Sequence, residues 1–138
     1  MTKALKTLIK LNKNKLDKIL KDIKAQETER DNVIERKNIL CREIDSEVEK
    51  YSLTEFSYML EKYIEQSTKQ INRMDAQIDR FDRILVLLKK DLQDQYSELK
   101  KFEIALDNRK LQDFNKDKAL EAKQIDEANI SKFYYRKK

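Results

Sequence analysis

The sequence contains no glycine, proline, histidine or tryptophan, and only one cysteine, in 138 residues. Glycine and proline average about 7% and 5% of the residues in proteins. Tight hairpins, phosphate-binding loops and β-turns depend on the backbone angles that these two residues provide. The composition therefore argues against β-sheets and against Rossmann-like and P-loop folds.

The same absences remove the common means of catalysis. Histidine is the most frequent general acid–base, clustered histidines and cysteines build metal sites, and glycine-rich loops hold phosphates. The carboxylate pairs Glu61 with Glu65 and Asp79 with Asp82 stand among basic residues at helical spacing. This spacing favours solvated helix faces over a catalytic dyad. The sequence thus predicts a protein without enzyme activity, cofactor or metal.

Long amphipathic helices are the structure that this composition favours, because 41% of the residues are charged and 39% are hydrophobic. In the second half, one row of residues recurs at intervals of seven: Ile64, Ile71, Ile78, Leu85, Leu92, Leu99 and Leu106. The companion row is Leu60, Ser67, Met74, Phe81, Leu88, Gln95 and Phe102. A sustained period of 3.5 residues indicates a left-handed coiled coil.

The first half repeats the pattern more loosely. Its two rows are Ile9, Leu16, Ile23, Arg30, Lys37, Ile44 and Tyr51, and Leu5, Asn12, Ile19, Gln26, Val33, Leu40 and Glu47. Both ends of this half are apolar, whereas Gln26, Arg30 and Lys37 make its middle polar. Polar residues in a coiled-coil seam cost stability but help to fix the register. Cys41 flanks the seam, where we interpret it as a small hydrophobe, with a reactive thiol as the alternative.

A helix start is predicted between the two halves. Ser52 and Glu55 have the spacing of a capping box, and Tyr51 and Phe56 occupy the positions of a hydrophobic staple. We therefore predict an all-α fold, a single domain in which two long helices form an antiparallel coiled-coil hairpin with a longer second helix. The expected boundaries are helix 1 at about 3–50, a turn at about 51–53, helix 2 at about 53–130 and a basic aromatic tail at 131–138. One unbroken helix is the alternative.

A monomeric hairpin that closes on Ser52 pairs residues whose numbers add up to 104, such as Leu40 with Ile64 and Lys37 with Ser67. A register one heptad away is the alternative. In the 104 register helix 2 would extend beyond helix 1 by about 45 Å. The apolar residues without a partner would be Phe102, Leu106, Leu111, Phe114, Leu120 and Ile125. Such a stripe is typical of a binding surface, with fraying or pairing to a second copy as the alternatives.

Both ends of the chain are basic and the middle is acidic. Residues 1–24 carry a net charge of +6 and residues 132–138 carry +4, so the total of +5 leaves −5 for the middle. The ends are expected either to meet an anionic partner or to stay solvated. Nucleic acid and an anionic membrane surface are less favoured partners, because no base-reading motif follows the N-terminal lysines and the body is acidic.

A soluble cytoplasmic protein is expected. The longest apolar run, 84–88, is far below the roughly 20 residues that a membrane span needs. The first residues include lysines but no continuous apolar segment, so no secretory signal is expected. A single cysteine cannot form an internal disulfide, which fits a reducing compartment.

At the start of predicted helix 2, the run FSYMLEKYIEQ at 56–66 resembles a segment of the FliJ-type proteins of flagellar export and of their YscO-type relatives in virulence secretion. The family carries an aromatic residue followed by an L-E-K-x-I-E-Q core. The opening of the chain, with Leu5, Lys6 and Leu8 followed by 13–20, is also similar. The predicted turn differs from that of some members, since it is shorter and lacks their glycine and asparagine.

The resemblance implies a coiled-coil stalk or coupling component of a type III export apparatus, peripheral to the inner membrane. Proteins of this type bind a hexameric export ATPase and the large cytoplasmic domain of the export gate, and they handle export chaperones. The implied gate contact maps to Phe56, Leu60, Tyr63 and Ser67, with seam packing as the alternative role of Leu60. The contact with the ATPase ring is expected at the chain ends, at Lys6, Lys10, Lys13, Phe114, Phe133, Tyr134 and Tyr135.

A generic cytoplasmic coiled-coil scaffold or adaptor is the alternative function. Such a protein would act through helix–helix association alone. Binding to the cognate export ATPase distinguishes the two functions.

Overall fold

The computed structural model describes the backbone of residues 2–136 and the side chains of residues 2–134. Helix α1 spans Thr2–Tyr51 and helix α2 spans Ser57–Arg136, and no strand occurs within this described part. The two helices pack against each other. The predicted all-α helical hairpin with a longer second helix is therefore confirmed.

Each of two compact units pairs a segment of α1 with a segment of α2. One unit consists of Leu16–Asp94 and contains the turn. The described residues of the other unit are 2–15 and 95–136.

Burial within Leu16–Asp94 follows the predicted seam. The buried apolar residues of this unit are Leu16, Ile23, Val33, Leu60 and Leu85. Half-buried positions continue the same alternation of three and four residues along both helices. No described side chain is less than 2% exposed, because two helices enclose a stripe rather than a globular core.

Two ion pairs join α1 to α2 in this unit. Arg30 Nη1 lies 3.4 Å from Asp82 Oδ1, and Lys37 Nζ lies 2.6 Å from Asp75 Oδ1. Hydrogen bonds to Asp31 and Asp82 raise the pKa of the Arg30 guanidinium, and the hydrogen bond to Asp75 raises the pKa of the Lys37 ammonium. Both cations occupy seam positions, so their stems lie along the seam while their charged groups reach its edge.

The predicted 104 register is wrong by one heptad. The ion pairs place Arg30 opposite Phe81 and Lys37 opposite Met74, so that the numbers of seam partners add up to 111. Val33 and Phe81 also line one surface groove together, although the 104 register would keep them apart. The alternative register, one heptad away, is therefore the correct one.

The turn lies later in the sequence than predicted, in the direction of this shift. Helix α1 ends at Tyr51 and helix α2 begins at Ser57, so the turn comprises 52–56 instead of the predicted 51–53, and its centre moves from 52 to 54. In the 111 register the midpoint between opposing residues lies between 55 and 56 rather than at 52. A displacement of half a heptad at the midpoint changes the partner of every seam residue by a full heptad.

The unit formed by 2–15 and 95–136 has the same spacing of buried positions. Asn12 and Leu99 are each 6% exposed, and their numbers again add up to 111. Thr2 and Arg109 form the last half-buried pair of this series. Asn12 Nδ2 and Arg109 Nε are buried without a hydrogen-bond partner among the described residues. Such groups lower stability, so this part of the seam is not optimised for packing alone.

Helix α2 has a long exposed segment beyond its last seam residue. Phe102 and Leu106, which the 104 register leaves without a partner, are half-buried instead. Every side chain described between 110 and 134 is exposed. We call residues 110–136 the extended end, and at 1.5 Å per residue it is about 40 Å long. Its large apolar and aromatic residues are Leu111, Phe114, Leu120, Ile125, Ile130, Phe133 and Tyr134.

We expect a disulfide to report the register. With Cys41 replaced by serine, Lys37→Cys combined with Met74→Cys should form an intrachain disulfide under mild oxidation, because these positions face each other. Lys37→Cys combined with Ser67→Cys should not, since Ser67 lies about 10 Å along helix α2 from Met74. Non-reducing electrophoresis and peptide mapping measure both. A disulfide in the second pair alone would support the 104 register, and disulfides only between chains would exclude the hairpin.

Burial in the seam should dominate stability. Leu85 is 3% exposed, so Leu85→Ala should lower the free energy of unfolding by about 2–3 kcal/mol. Leu87→Ala is the matched control, because Leu87 is 65% exposed and its truncation should cost under about 1 kcal/mol. Urea denaturation followed by circular dichroism measures both values. Equal losses of unfolding free energy in the two variants would show that Leu85 and Leu87 do not differ in burial and that the helical phase is incorrect.

Candidate functional site

An apolar groove opens between the end of α1, the turn and the first turns of α2. Its volume is about 360 Å³, and we call it the turn groove. It is lined by Glu47, Tyr51, Phe56, Met59, Leu60 and Tyr63. Phe56 is 48% and Met59 is 67% exposed, so the apolar wall is open to a partner. Ligand pockets range from about 300 to 1,000 Å³, so the turn groove suits one or two partner side chains better than a large cofactor.

Thr54 organises the turn that shapes this groove. Its hydroxyl donates a hydrogen bond to the Tyr51 carbonyl at 2.8 Å and accepts one from the Phe56 N–H at 3.2 Å. The Tyr51 and Phe56 rings meet edge to face, with centroids 6.0 Å apart, which confirms their predicted contact. The predicted capping role of Ser52 is wrong, because the Ser52 N–H donates to the Val48 carbonyl and Ser52 thus belongs to the end of α1.

The four residues predicted for the gate contact fall into two groups. Phe56 and Tyr63 line the turn groove, Phe56 exposed and Tyr63 half-buried. Leu60 is 9% exposed and Ser67 is 4% exposed. Both occupy seam positions, so their side chains are directed into the packing with α1. Leu60 still contributes to the groove wall, whereas Ser67 has almost no surface left for a partner.

Sequence reasoning missed Tyr51, Met59 and Glu47 as residues of this site. Met59 stands one position before the seam residue Leu60, just as Tyr63 stands one position before the next seam residue. Apolar residues beside a seam widen the apolar stripe beyond what a second helix covers. That widening is the sequence signal that points to Met59. The contribution of Tyr51 and Glu47 depends on the geometry of the turn.

The turn groove lies in an acidic segment. Residues 43–65 contain two lysines and seven carboxylates, a net charge of −5. The carboxylates are Glu43, Asp45, Glu47, Glu49, Glu55, Glu61 and Glu65. Within the described part of the chain, Glu65 is the only one of these that forms an ion pair, with Lys69. Because Glu47 also lines the groove, the site favours a partner that is both apolar and cationic.

The residues predicted for the ATPase contact on helix α1 are all accessible. Lys6, Lys10 and Lys13 are exposed and share one face of the helix, at spacings of four and three residues. None of them forms an ion pair with any described residue. Three neighbouring charges without a counter-charge make this face strongly positive.

The aromatic residues predicted for the same contact lie on the extended end. Phe114 is 61% exposed, and Lys118 Nζ lies 6.0 Å from its ring centroid. Phe133 and Tyr134 are 62% and 60% exposed. The side chain of Tyr135 lies outside the described residues. Phe114 and the N-terminal lysines belong to the same compact unit.

The described residues contain no group of three or more His, Cys, Asp or Glu side chains that could hold a metal ion. Cys41 is a half-buried free thiol. Neither helix, over its described length, has a segment apolar enough to cross a bilayer. What the structure offers are two surfaces suited to macromolecular partners: the turn groove, and the basic N-terminal face with the extended end.

Comparison of this chain with protein-family models, with curated proteins and with solved structures finds no significant match.

Thr54 should be the residue that stabilises the turn. Thr54→Ala removes the hydrogen bonds to Tyr51 and Phe56 and should lower the free energy of unfolding by about 1 kcal/mol. Ser52→Ala is the control from the predicted capping box and should cost less than about 0.5 kcal/mol. Thermal unfolding followed by circular dichroism compares the two. A larger loss for Ser52→Ala would support the capping box instead.

Proposed function

We propose that this chain is a non-enzymatic coiled-coil stalk or coupling component of a flagellar or virulence type III export apparatus. In this role it binds the hexameric export ATPase and the cytoplasmic domain of the export gate, and it contacts export chaperones. It acts in the cytoplasm, peripheral to the inner membrane at the export apparatus.

The unequal length of the helices carries this proposal. Helix α1 has 50 residues and helix α2 has 80. The extended end exposes Leu111 and Phe114 on a helix that α1 no longer covers. A stalk that enters the opening of a ring requires such a segment, because its apolar side chains must contact the ring and not the partner helix.

The basic face of α1 supports the same contact. Lys6, Lys10 and Lys13 lie in the compact unit that also contains the extended end. Exposed cations attract acidic loops of a partner at long range and raise the rate of association more than its final affinity. The contact should therefore weaken as salt concentration rises.

The turn groove supports the proposed gate contact. Phe56 and Tyr63 provide aromatic surface, and Met59 adds a flexible apolar side chain that adapts to a partner. Aromatic residues in pockets contribute most strongly to protein interfaces. Ser67 acts here only by permitting the close packing of the helices behind the groove, because it is buried.

ATP hydrolysis by the cognate export ATPase tests the proposal. Reversing Lys6, Lys10 and Lys13 to glutamate should reduce the apparent affinity with which the protein stimulates hydrolysis by about tenfold at low salt. The matched control reverses Lys18, Lys21 and Lys24, which are also exposed on α1 but lie outside residues 2–15. This control changes the net charge equally and should alter stimulation by less than about twofold.

Binding to the gate domain tests the turn groove separately from the surface proposed to contact the ATPase. Tyr63→Ala should leave ATPase stimulation unchanged and weaken a pull-down of the gate domain, whereas Tyr58→Ala, at an exposed residue outside the groove, should preserve both. Circular dichroism confirms that each variant is folded. If the wild-type protein neither stimulates the ATPase nor binds the gate domain, the generic scaffold function replaces the export function.

A further inference from the structure

We propose that the turn groove binds the C-terminal segment 129–138 of a second copy of this chain. This inference does not depend on the export function, because it follows from two surfaces of the chain that complement each other in charge and in apolar character. Each copy of the chain carries one turn groove and one such segment.

Charge complementarity is the first argument. Segment 129–138 reads NISKFYYRKK and contains four cationic side chains and no acidic one. Residues 43–65, which surround the turn groove, carry a net charge of −5. Six of the seven carboxylates there form no ion pair among the described residues, so their charge is available to a partner. Opposite charges of this size favour encounter and orientation.

Apolar complementarity is the second argument. Segment 129–138 contains three consecutive aromatic residues, of which Phe133 and Tyr134 are 62% and 60% exposed. The turn groove presents Phe56 and Met59, which are also exposed. Aromatic rings pack well against other rings and against thioether sulfur. A volume of about 360 Å³ gives room for one or two of these rings.

Glu47 places a negative charge within the apolar groove. Its carboxylate lines the groove, where an apolar wall excludes part of the water around it. A ring seated in the groove would bring Lys132 or Arg136 of the same segment near this carboxylate, since they flank the aromatic run. Partial exclusion of water strengthens such a pair relative to one on an open surface.

The contact is heterologous if each copy supplies its groove to one neighbour and its segment to another, and it forms a closed dimer if two copies exchange both. A single groove buries little surface, so association should be weak and sensitive to salt. A second copy bound in the groove would compete with any other protein that uses Phe56 and Tyr63.

Sedimentation velocity of the full-length chain tests the proposal. At low salt the weight-average sedimentation coefficient should rise with protein concentration, and 0.5 M salt should abolish the rise. Glu47→Lys should weaken self-association about tenfold. Glu61→Lys is the matched control, because it makes the same charge change on an exposed residue that does not line the groove, and it should weaken association by less than about threefold.

A charge-exchange experiment identifies the two surfaces directly. The double variant Lys132→Glu with Arg136→Glu should also weaken self-association, by about tenfold or more. Mixing this variant with Glu47→Lys should restore association, because the unchanged groove of the double variant then meets the unchanged segment of Glu47→Lys, and the lysine of the other groove meets the glutamates. A variant that failed to fold could not regain association on mixing. Circular dichroism verifies that each variant is helical.

Three outcomes would overturn the proposal. The wild-type chain could sediment as a monomer at low salt at all concentrations up to about 0.5 mM, which would exclude a dissociation constant in the micromolar range. Glu61→Lys could weaken association as much as Glu47→Lys, which would mean that only the overall charge matters. The mixed variants could stay monomeric, which would place the contact elsewhere.

Discussion

The pairing of two seam cations with carboxylates on the opposite helix fixes the register on which the rest of the hairpin depends. Arg30 and Lys37 stand in positions that a coiled coil normally fills with apolar residues. Each lies opposite an apolar residue and reaches the carboxylate that follows it, Asp82 or Asp75. The 104 alignment would give Arg30 a carboxylate at Asp75 but would place Lys37 beside Ser67 and Thr68, with no carboxylate next to it. Loss of the Lys37 pair therefore disfavours that alignment, although each pair is partly exposed and contributes little by itself.

Stability in this molecule is spread thinly along a stripe. The seam has no side chain below 2% exposed among the described residues, and several of its positions are polar. Gln26 Oε1 and Asn12 Nδ2 are buried without a hydrogen-bond partner in the described part of the chain. Such positions reduce stability, but they increase the energy difference between one alignment of the helices and another. The hairpin therefore has a defined alignment and only a modest apolar core.

Part of the candidate site is separated from the packed seam by its position around the helices. Leu60 and Ser67 face the partner helix, whereas Met59 and Tyr63, one position before seam residues, line the turn groove. The charges show a similar separation along the sequence: residues 43–65 are acidic, and the lysines of 2–15 and the segment 129–138 are basic. The proposed export contacts and the proposed contact between copies both draw on this arrangement. A protein that binds through one surface can consequently be blocked at that surface without being unfolded.

The sequence by itself determined that the chain is helical and set the phase of the seam, and it favoured two antiparallel helices over one unbroken helix. Heptad spacing fixes which face of each helix is apolar, and the observed burial at Leu16, Ile23, Leu85 and Leu99 follows it. The sequence also indicated the aromatic contact between Tyr51 and Phe56. It placed Phe56 and Tyr63 in the candidate site, but it placed buried Ser67 there as well.

Only the tertiary structure decided the register, the length of the turn and the shape of the groove. A heptad repeat looks the same after a shift of seven residues, so periodicity cannot distinguish the 104 alignment from the 111 alignment. The choice depends on where the chain reverses and on which carboxylates meet Arg30 and Lys37, and both are contacts between residues distant in the sequence. The turn groove likewise exists only once Thr54 holds the turn and brings residues of both helices together.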